Sequence, residues 1–374
     1  MNFEITNEQK NMINEVECFF KNELNTDTEE FSKRNWLKCA ELGLISMNVP
    51  SEYGGMDCDY LTCALLLETL GYACKDNGFI FAITNHLWVC QELIKVFGSD
   101  TSKQKYLSSM ASGEKIGCFA ITEADAGSDV FSMSTSAIKV DGGYLLNGNK
   151  MFISNAPIAD VFIVIAKDVS KENSYIALIV DNNSSGFSVG KTIEKMGLTS
   201  CPMGEVIFNN VFVPTHNVLY YPGKGKKVAD YALKTERIFE FASHIGVMRR
   251  ITEQCIKYVN EREQFGKKIK EFQSVSSKIA DMKVRYETAK LLLYKTAWLV
   301  DKGKNAFNFA AMLKLFVSEG YVKTCLDALQ IHGAYGYTKE YSCEKDVRDA
   351  LASTIYSGTS ETMRNVIFSL TDLF

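Results

Sequence analysis

The sequence predicts an α+β protein in three consecutive parts: a helical N-terminal domain, a middle β domain and a C-terminal four-helix bundle. Three observations predict it. Four of the five prolines (157, 202, 214 and 222) fall in one stretch and none follows Pro222, and proline is tolerated in turns and at strand edges but breaks helix interiors. That same stretch carries short β-rich runs separated by turn residues, whereas the segments before and after it carry apolar residues at helical spacing. A chain of 374 residues also exceeds the roughly 250–300 at which single cores stop growing. The boundaries read as 1–116, 117–222 and 223–374.

Within the first part, Tyr60 to Tyr72 is a run of helix formers that should end near Gly71, and the preceding Pro50-Ser-Glu-Tyr-Gly-Gly55 is a loop. From about Gly117 the pattern changes. Runs at Ile138–Asn147, Val161–Ala166, Tyr175–Val180 and Val206–Pro214 read as strands, with Asp141-Gly142-Gly143 as a hairpin turn. Helical periodicity then returns: Ile238, Phe241, Ala242, Ile245, Met248, Cys255, Ile256 and Val259 form a stripe, and similar stripes follow near 275–300 and 306–332. Such helices imply a bundle.

Composition narrows the function. Charge is nearly balanced, 41 basic against 45 acidic residues, with no basic block to meet nucleic acid or a lipid surface. No apolar run approaches the length of a membrane span. The start of the chain, Met1-Asn-Phe-Glu, resembles neither a signal nor a transit peptide, so a cytoplasmic location is expected. Eleven scattered cysteines without CxxC pairs, and four unpaired histidines, make a disulfide framework or a metal site improbable. Most of the cysteines should be small buried hydrophobes.

Four segments are candidates for chemistry. Phe119 to Asp129 opens a strand into a turn of small and hydroxylated residues, able to bring backbone N–H groups close to a ligand. Gly148-Asn-Lys-Met-Phe152-Ile-Ser154 places an aromatic and a hydroxyl two residues apart on one strand face. Arg262-Glu-Gln-Phe265-Gly266, followed by Phe272-Gln273, ends one helix and begins another, where arginine suits a phosphate or a helix C-terminus. The last comprises Gln330-Ile-His-Gly333-Ala-Tyr-Gly336 and Tyr356-Ser-Gly-Thr-Ser-Glu361. Taken singly, each has an ordinary reading as a turn, a buried aromatic or a helix cap.

In this order, however, the segments closely resemble the acyl-CoA dehydrogenase family of flavoenzymes, from Pro50-Ser-Glu-Tyr-Gly-Gly through Thr122-Glu-x-x-Ala-Gly-Ser-Asp129 and Lys195-Met-Gly to Arg262-x-Gln-Phe-Gly266 and Tyr356-x-Gly-Thr-Ser360. The resemblance covers nearly the whole chain. It implies the three-part fold above, FAD held between domains and across a subunit interface, and a homodimer or homotetramer. It further implies that Phe119, Ile121, Thr122, Gly127 and Ser128 line the flavin, with Ser128 also near substrate. Phe152, Ile153 and Ser154 lie against the isoalloxazine. Arg262, Phe265 and Gln273 bind the diphosphate region, while Gln330, Ile331, Gly333 and Ala334 reach the FAD of a neighbouring subunit. Thr359 and Glu361 close over the adenosine end, and Lys234, Arg237, Ser357 and Gly358 face the substrate.

The implied reaction removes the α-proton of an acyl thioester while hydride leaves the β carbon. A desolvated carboxylate suits this proton transfer. Most members carry that glutamate just before Gly-Thr-Ser, where this chain has Ser357. Isovaleryl-CoA dehydrogenase and long-chain relatives instead use a glutamate in a Leu-x-x-Glu-Arg segment, matched here by Leu233-Lys-Thr-Glu236-Arg237. Glu236 is therefore the expected base, with Glu240, one turn on, as its competitor. Thr199 replaces a family arginine after Lys-Met-Gly, and Lys234 replaces an aspartate. The Pro202-Met-Gly-Glu205 run looks more like relatives that oxidise aminoacyl or hydroxyacyl groups on carrier proteins in natural-product pathways. Lys224, Lys226, Lys227 and Lys234 near the entrance suit an acidic carrier protein, although a solvated lysine loop is the simpler reading. CoA and carrier protein both remain open as the acyl carrier, as do an electron-transferring flavoprotein and oxygen as acceptor. An acyl thioester oxidase, a flavin monooxygenase, or an inactive FAD- and thioester-binding protein are the alternatives.

Overall fold

The computed structural model describes residues 4–22, 24 and 29–370. The start of the N-terminal reading (1–3) and the chain end (371–374) lie outside the described residues. Six helices come first: α1 (Asn7–Asn22), α2 (Lys33–Glu41), α3 (Tyr60–Ala73), α4 (Asn77–His86), α5 (Glu92–Phe97) and α6 (Asp100–Ala111). Asp59 starts α3 by accepting the Thr62 amide at 2.7 Å, a normal N-cap. The helix ends at Ala73, two residues beyond the Gly71 near which the sequence placed its end. A Cβ on Gly71 would lie 1.8 Å from the Ser243 carbonyl oxygen, and one on Gly246 would lie 1.8 Å from that of Glu68. The two glycines thus permit a close helix crossing and do not terminate a helix.

The β domain is one seven-stranded sheet of β1 (Gly117–Ala120), β2 (Ser136–Val140), β3 (Gly143–Ser154), β4 (Val161–Asp168), β5 (Tyr175–Asp181), β6 (Phe187–Thr192) and β7 (Met203–Pro214). Its order is β1-β4-β2-β3-β7-β6, with β5 also on β4. The hairpin expected at Asp141–Gly142 joins β2 to β3, with Val140 opposite Gly143.

The long helix α7 (Gly225–Glu261) opens the C-terminal part. A small hairpin, β8 (Glu263–Gln264) and β9 (Lys267–Lys268), leads into α8 (Gln273–Asp301) and α9 (Phe307–His332). The chain ends in α10 (Ala334–Tyr337), α11 (Cys343–Ala352) and α12 (Ser360–Ser369). One continuous apolar cluster runs from Phe19, Trp36 and Leu67 to Phe241, Leu293 and Val317, so the two helical parts share a core. The sheet has its own cluster around Phe162, Leu178 and Val206. A further cluster, including Val89, Leu107, Ile163 and Val228, welds the sheet to helices of both parts. Nine of the eleven cysteines are buried and all are free thiols. No helix among the described residues is long and apolar enough to cross a membrane.

Candidate active site

The first two candidate segments are brought side by side by a buried ion pair. Lys150, fully buried on β3, donates to the Ile121 carbonyl at 2.8 Å and to Glu123 Oε1 at 2.9 Å. Glu123 also accepts the Ser134 amide and hydroxyl, both at 2.6 Å, and the Thr135 amide at 2.9 Å. Desolvation pushes this carboxyl up, but the Ser134, Thr135 and Lys150 donors outweigh it and hold it at about 2. Burial lowers the Lys150 ammonium to about 8, opposed by Glu123. The Met151 amide donates to the Thr122 carbonyl at 2.9 Å and closes the junction. Both residues of the pair stand inside the quoted motifs, yet sequence reasoning gave them no role. A charged pair at internal positions of two adjacent motifs was the available signal.

Above this junction β3 is bulged between Lys150 and Ile153. Phe152 sits at φ +61° and is 53% exposed, while Ile153 is buried and Ser154 is half-buried. A phenylalanine in left-handed backbone, turned outward, is unusual in a strand. Thr122 is half-buried and Ser128 exposed nearby in sequence, and a Cβ on Gly127 would meet nothing within 4 Å.

The second centre lies on α7. Glu236 is half-buried, Glu240 is 1% exposed, and both occupy one helix face. Desolvation raises Glu236 above the ordinary carboxylate range, opposed by the Ser357 hydroxyl, Arg237 and Lys314. Ser357 Oγ makes no hydrogen bond of normal geometry, although it lies near enough to Glu236 to favour its ionised form. Arg237 Nε donates to the Ser357 carbonyl at 2.9 Å, bracing a turn in which Ser357 and Gly358 take φ of +57° and +95°. Lys314, wholly buried on α9 and without a hydrogen-bond partner, is lowered to about 8 by burial and by Arg237. Behind Glu236, Glu240 accepts from the Thr84 hydroxyl. Its carboxyl is raised well above the usual range by burial and by Glu236, against the Thr84 hydrogen bond. The Phe81 and Tyr356 rings pack 4.7 Å apart beside it, and Tyr356 OH hydrogen-bonds with His244 Nε2.

The sequence matches the acyl-CoA dehydrogenase N-terminal domain over residues 6–114, the middle domain over 118–211 and the C-terminal domain over 223–369. The chain belongs to the acyl-CoA dehydrogenase family. It is an FAD-dependent oxidoreductase of the class that dehydrogenates acyl thioesters. It is 38% identical over 349 residues to an L-prolyl-[peptidyl-carrier protein] dehydrogenase of Pseudomonas fluorescens, covering 92% of this chain and 91% of that protein. It is equally 38% identical over 371 residues to an acyl-CoA dehydrogenase of Bacillus subtilis, covering 97% of each. Among solved structures, the FAD complex of PigA superposes with a TM-score of 0.96 at 35% identity over 100% of both chains.

The family's flavin fits the residues at the β3 bulge. An outward aromatic beside Thr122 and Ser154 hydroxyls and a glycine with open space suits a flat ring system with polar edges. Ile121 and Ile153 are 7% and 2% exposed and belong to apolar clusters. Ile331 is likewise 8% exposed, within the helical core. Lys234 is also drawn away from Glu236: two residues turn a helix by about 200°. Its ammonium instead lies 4.3 Å over the Tyr231 ring and is lowered by burial, opposed by Glu92.

At the far end of the bundle Arg262, Phe265, Gln273, Gln330, Gly333 and Ala334 are all exposed, Phe265 to 93%. Arg262 stands 5.8 Å over the Tyr335 ring, next to Ala334, so the third segment and the first half of the fourth meet in space. Thr359 caps α12 by accepting the Thr362 amide at 3.2 Å, which places Glu361 in its first turn. The Lys195-Met-Gly197 segment is clamped by α11, where Arg348 donates to the Met196 carbonyl at 2.6 Å and Asp349 accepts the Leu198 amide at 2.6 Å.

Proposed function

We propose that this enzyme dehydrogenates the Cα–Cβ bond of an aminoacyl group held as a thioester on a carrier protein, with Glu236 as the base. The observation that carries the reading is the placement of Glu236. Its carboxyl is half-buried beside the Ser357–Gly358 turn and raised by desolvation, which makes it a stronger base than an exposed carboxylate. Ser357 offers no carboxyl where most relatives have one.

Glu236 takes the α-proton, and the charge developing on the thioester oxygen needs a donor. The Ser357–Gly358 turn, braced by Arg237, brings backbone N–H groups to that side. A bound FAD would supply the acceptor for the hydride that leaves the β carbon, so the substrate gives one proton to Glu236 and one hydride to the cofactor, two hydrogens and two electrons in all, and a C=C bond remains. Thr122, Ser128, Phe152 and Ser154 hold and orient the ring system. Arg262, Phe265, Gln273, Gln330, Gly333 and Ala334 serve the cofactor across a homo-oligomer interface, for which an exposed phenylalanine is apt. Thr359 and Glu361 close the adenosine end.

The carrier-protein assignment draws on the similarity to the prolyl-carrier enzyme, on Thr199 standing where the family has an arginine, and on the surface at the start of α7. There Lys224, Lys226 and Lys227 are exposed beside the exposed Tyr220 and Tyr221, with Lys227 Nζ 4.8 Å over the Tyr220 ring. A basic, aromatic patch complements an acidic partner. The test is anaerobic bleaching of the flavin by prolyl-loaded carrier protein against a panel of acyl-CoA thioesters. Faster bleaching by the loaded carrier supports the reading; bleaching by acyl-CoA alone overturns it. Readmitting oxygen, or adding an electron-transferring flavoprotein, then identifies the acceptor.

A further inference from the structure

Glu240 takes no part in the chemistry above, although it is the more deeply buried of the two carboxyls on this helix face. Its Oε2 accepts from Thr84, but Oε1 has no hydrogen-bond partner. Arg237 and Lys314 both act on Glu236, while no lysine or arginine among the described residues pairs with Glu240. Glu240 acts on the Tyr356 hydroxyl, and the Tyr356 ring packs against Phe241 at 5.7 Å and Phe81 at 4.7 Å. A buried acceptor left open among aromatic rings, beside a second carboxyl, calls for a donor that also carries positive charge.

We propose that Glu240 and Thr84 form a subsite that reads the α-ammonium group of the aminoacyl substrate. The inference rests on the aminoacyl reading above. In such a substrate the nitrogen is bonded to the same carbon that loses its proton to Glu236. Residues four apart on a helix stand about 5–6 Å apart at Cβ, a spacing that lets one carboxyl address Cα–H while the next addresses the nitrogen. Burial and Glu236 favour the neutral form of the Glu240 carboxyl; an ammonium beside it restores the ionised form and gains a charge-assisted hydrogen bond, whereas a hydroxyacyl group offers only a neutral one.

The test compares holoenzyme variants on two substrates of the same shape: carrier protein loaded with a prolyl group, and the same carrier loaded with a cyclopentanecarbonyl group, which lacks the nitrogen. Flavin reduction is followed anaerobically for the wild type, Glu240→Gln and Glu240→Leu. Binding of L-prolinamide is read in parallel from the perturbed flavin spectrum, with FAD content and melting temperature as controls. The wild type should prefer the prolyl substrate, and the ratio of the two kcat/KM values should fall about 100-fold in Glu240→Gln, with prolinamide binding weakened to match. A ratio unchanged in both folded, FAD-replete variants overturns the subsite. A wild type reduced by the cyclopentanecarbonyl carrier but not by the prolyl carrier overturns the aminoacyl reading itself, before any variant is considered.

Discussion

Glu123 in the β domain and Glu236 on α7 both lie where desolvation disfavours charge, yet their surroundings drive them in opposite directions. Glu123 receives two backbone amides, a hydroxyl and an ammonium, and is held at about 2. Glu236 has a loosely placed serine hydroxyl, an arginine committed to the Ser357 carbonyl and a lysine that makes no hydrogen bond, and it is raised. Burial alone therefore does not make a base. Burial with few donors raises a carboxyl toward that role, and the same residue type given enough donors becomes an ionised strut that aligns two loops.

The comparison breaks most visibly at Lys150. Lys150→Met strips the cation from a buried pair and should cost about 3–5 kcal/mol, measured by chemical denaturation, whereas the double variant with Glu123→Gln should recover much of the loss. A single-variant cost below about 1 kcal/mol would contradict the strut assignment.

A smaller effect separates the two carboxyls by pH. The folded-state value of Glu123, about 2, lies below the ordinary 4.5, so its contribution to stability is complete above 4.5 and is lost as pH falls toward 2. Glu236 is raised above 4.5, so the folded state holds its proton more tightly and its contribution declines as pH rises through that window. Unfolding free energies measured against pH should show Glu123→Gln flattening the acid limb, and Glu236→Gln flattening the decline above pH 4.5. A Glu236→Gln variant less stable than wild type at neutral pH would reverse the sign expected.

The smallest effect belongs to Ser357. Its hydroxyl forms no well-aligned hydrogen bond, and its carbonyl is what Arg237 grips. Ser357→Ala should therefore change stability by about 0.5 kcal/mol or less and leave flavin reduction within about threefold of wild type.

The three-part fold was legible because prolines and strand runs cluster between helical stripes, and the family resemblance ordered the motifs. Glu236, the proposed base, was singled out by the Leu-x-x-Glu-Arg resemblance. Other features were hidden for physical reasons. The edge strand β6 is mostly exposed and polar, so no apolar alternation marks it. Gly71 resembles a helix stop in one dimension, and its partner Gly246 lies far along the chain. Ile121, Ile153 and Ile331 sit inside motifs but point into the core, and a linear motif does not record direction. Lys234 is two residues from Glu236 in sequence and on another face of the helix. The open Oε1 of Glu240 depends on what does not surround it, a property of packing alone.

The central claim is that Glu236 removes the α-proton, and anaerobic stopped-flow spectroscopy of Glu236→Gln tests it most directly. The account predicts that the variant binds FAD normally yet bleaches at least about 1,000-fold more slowly than wild type with the preferred thioester. Bleaching at a near-normal rate would remove Glu236 from the chemistry.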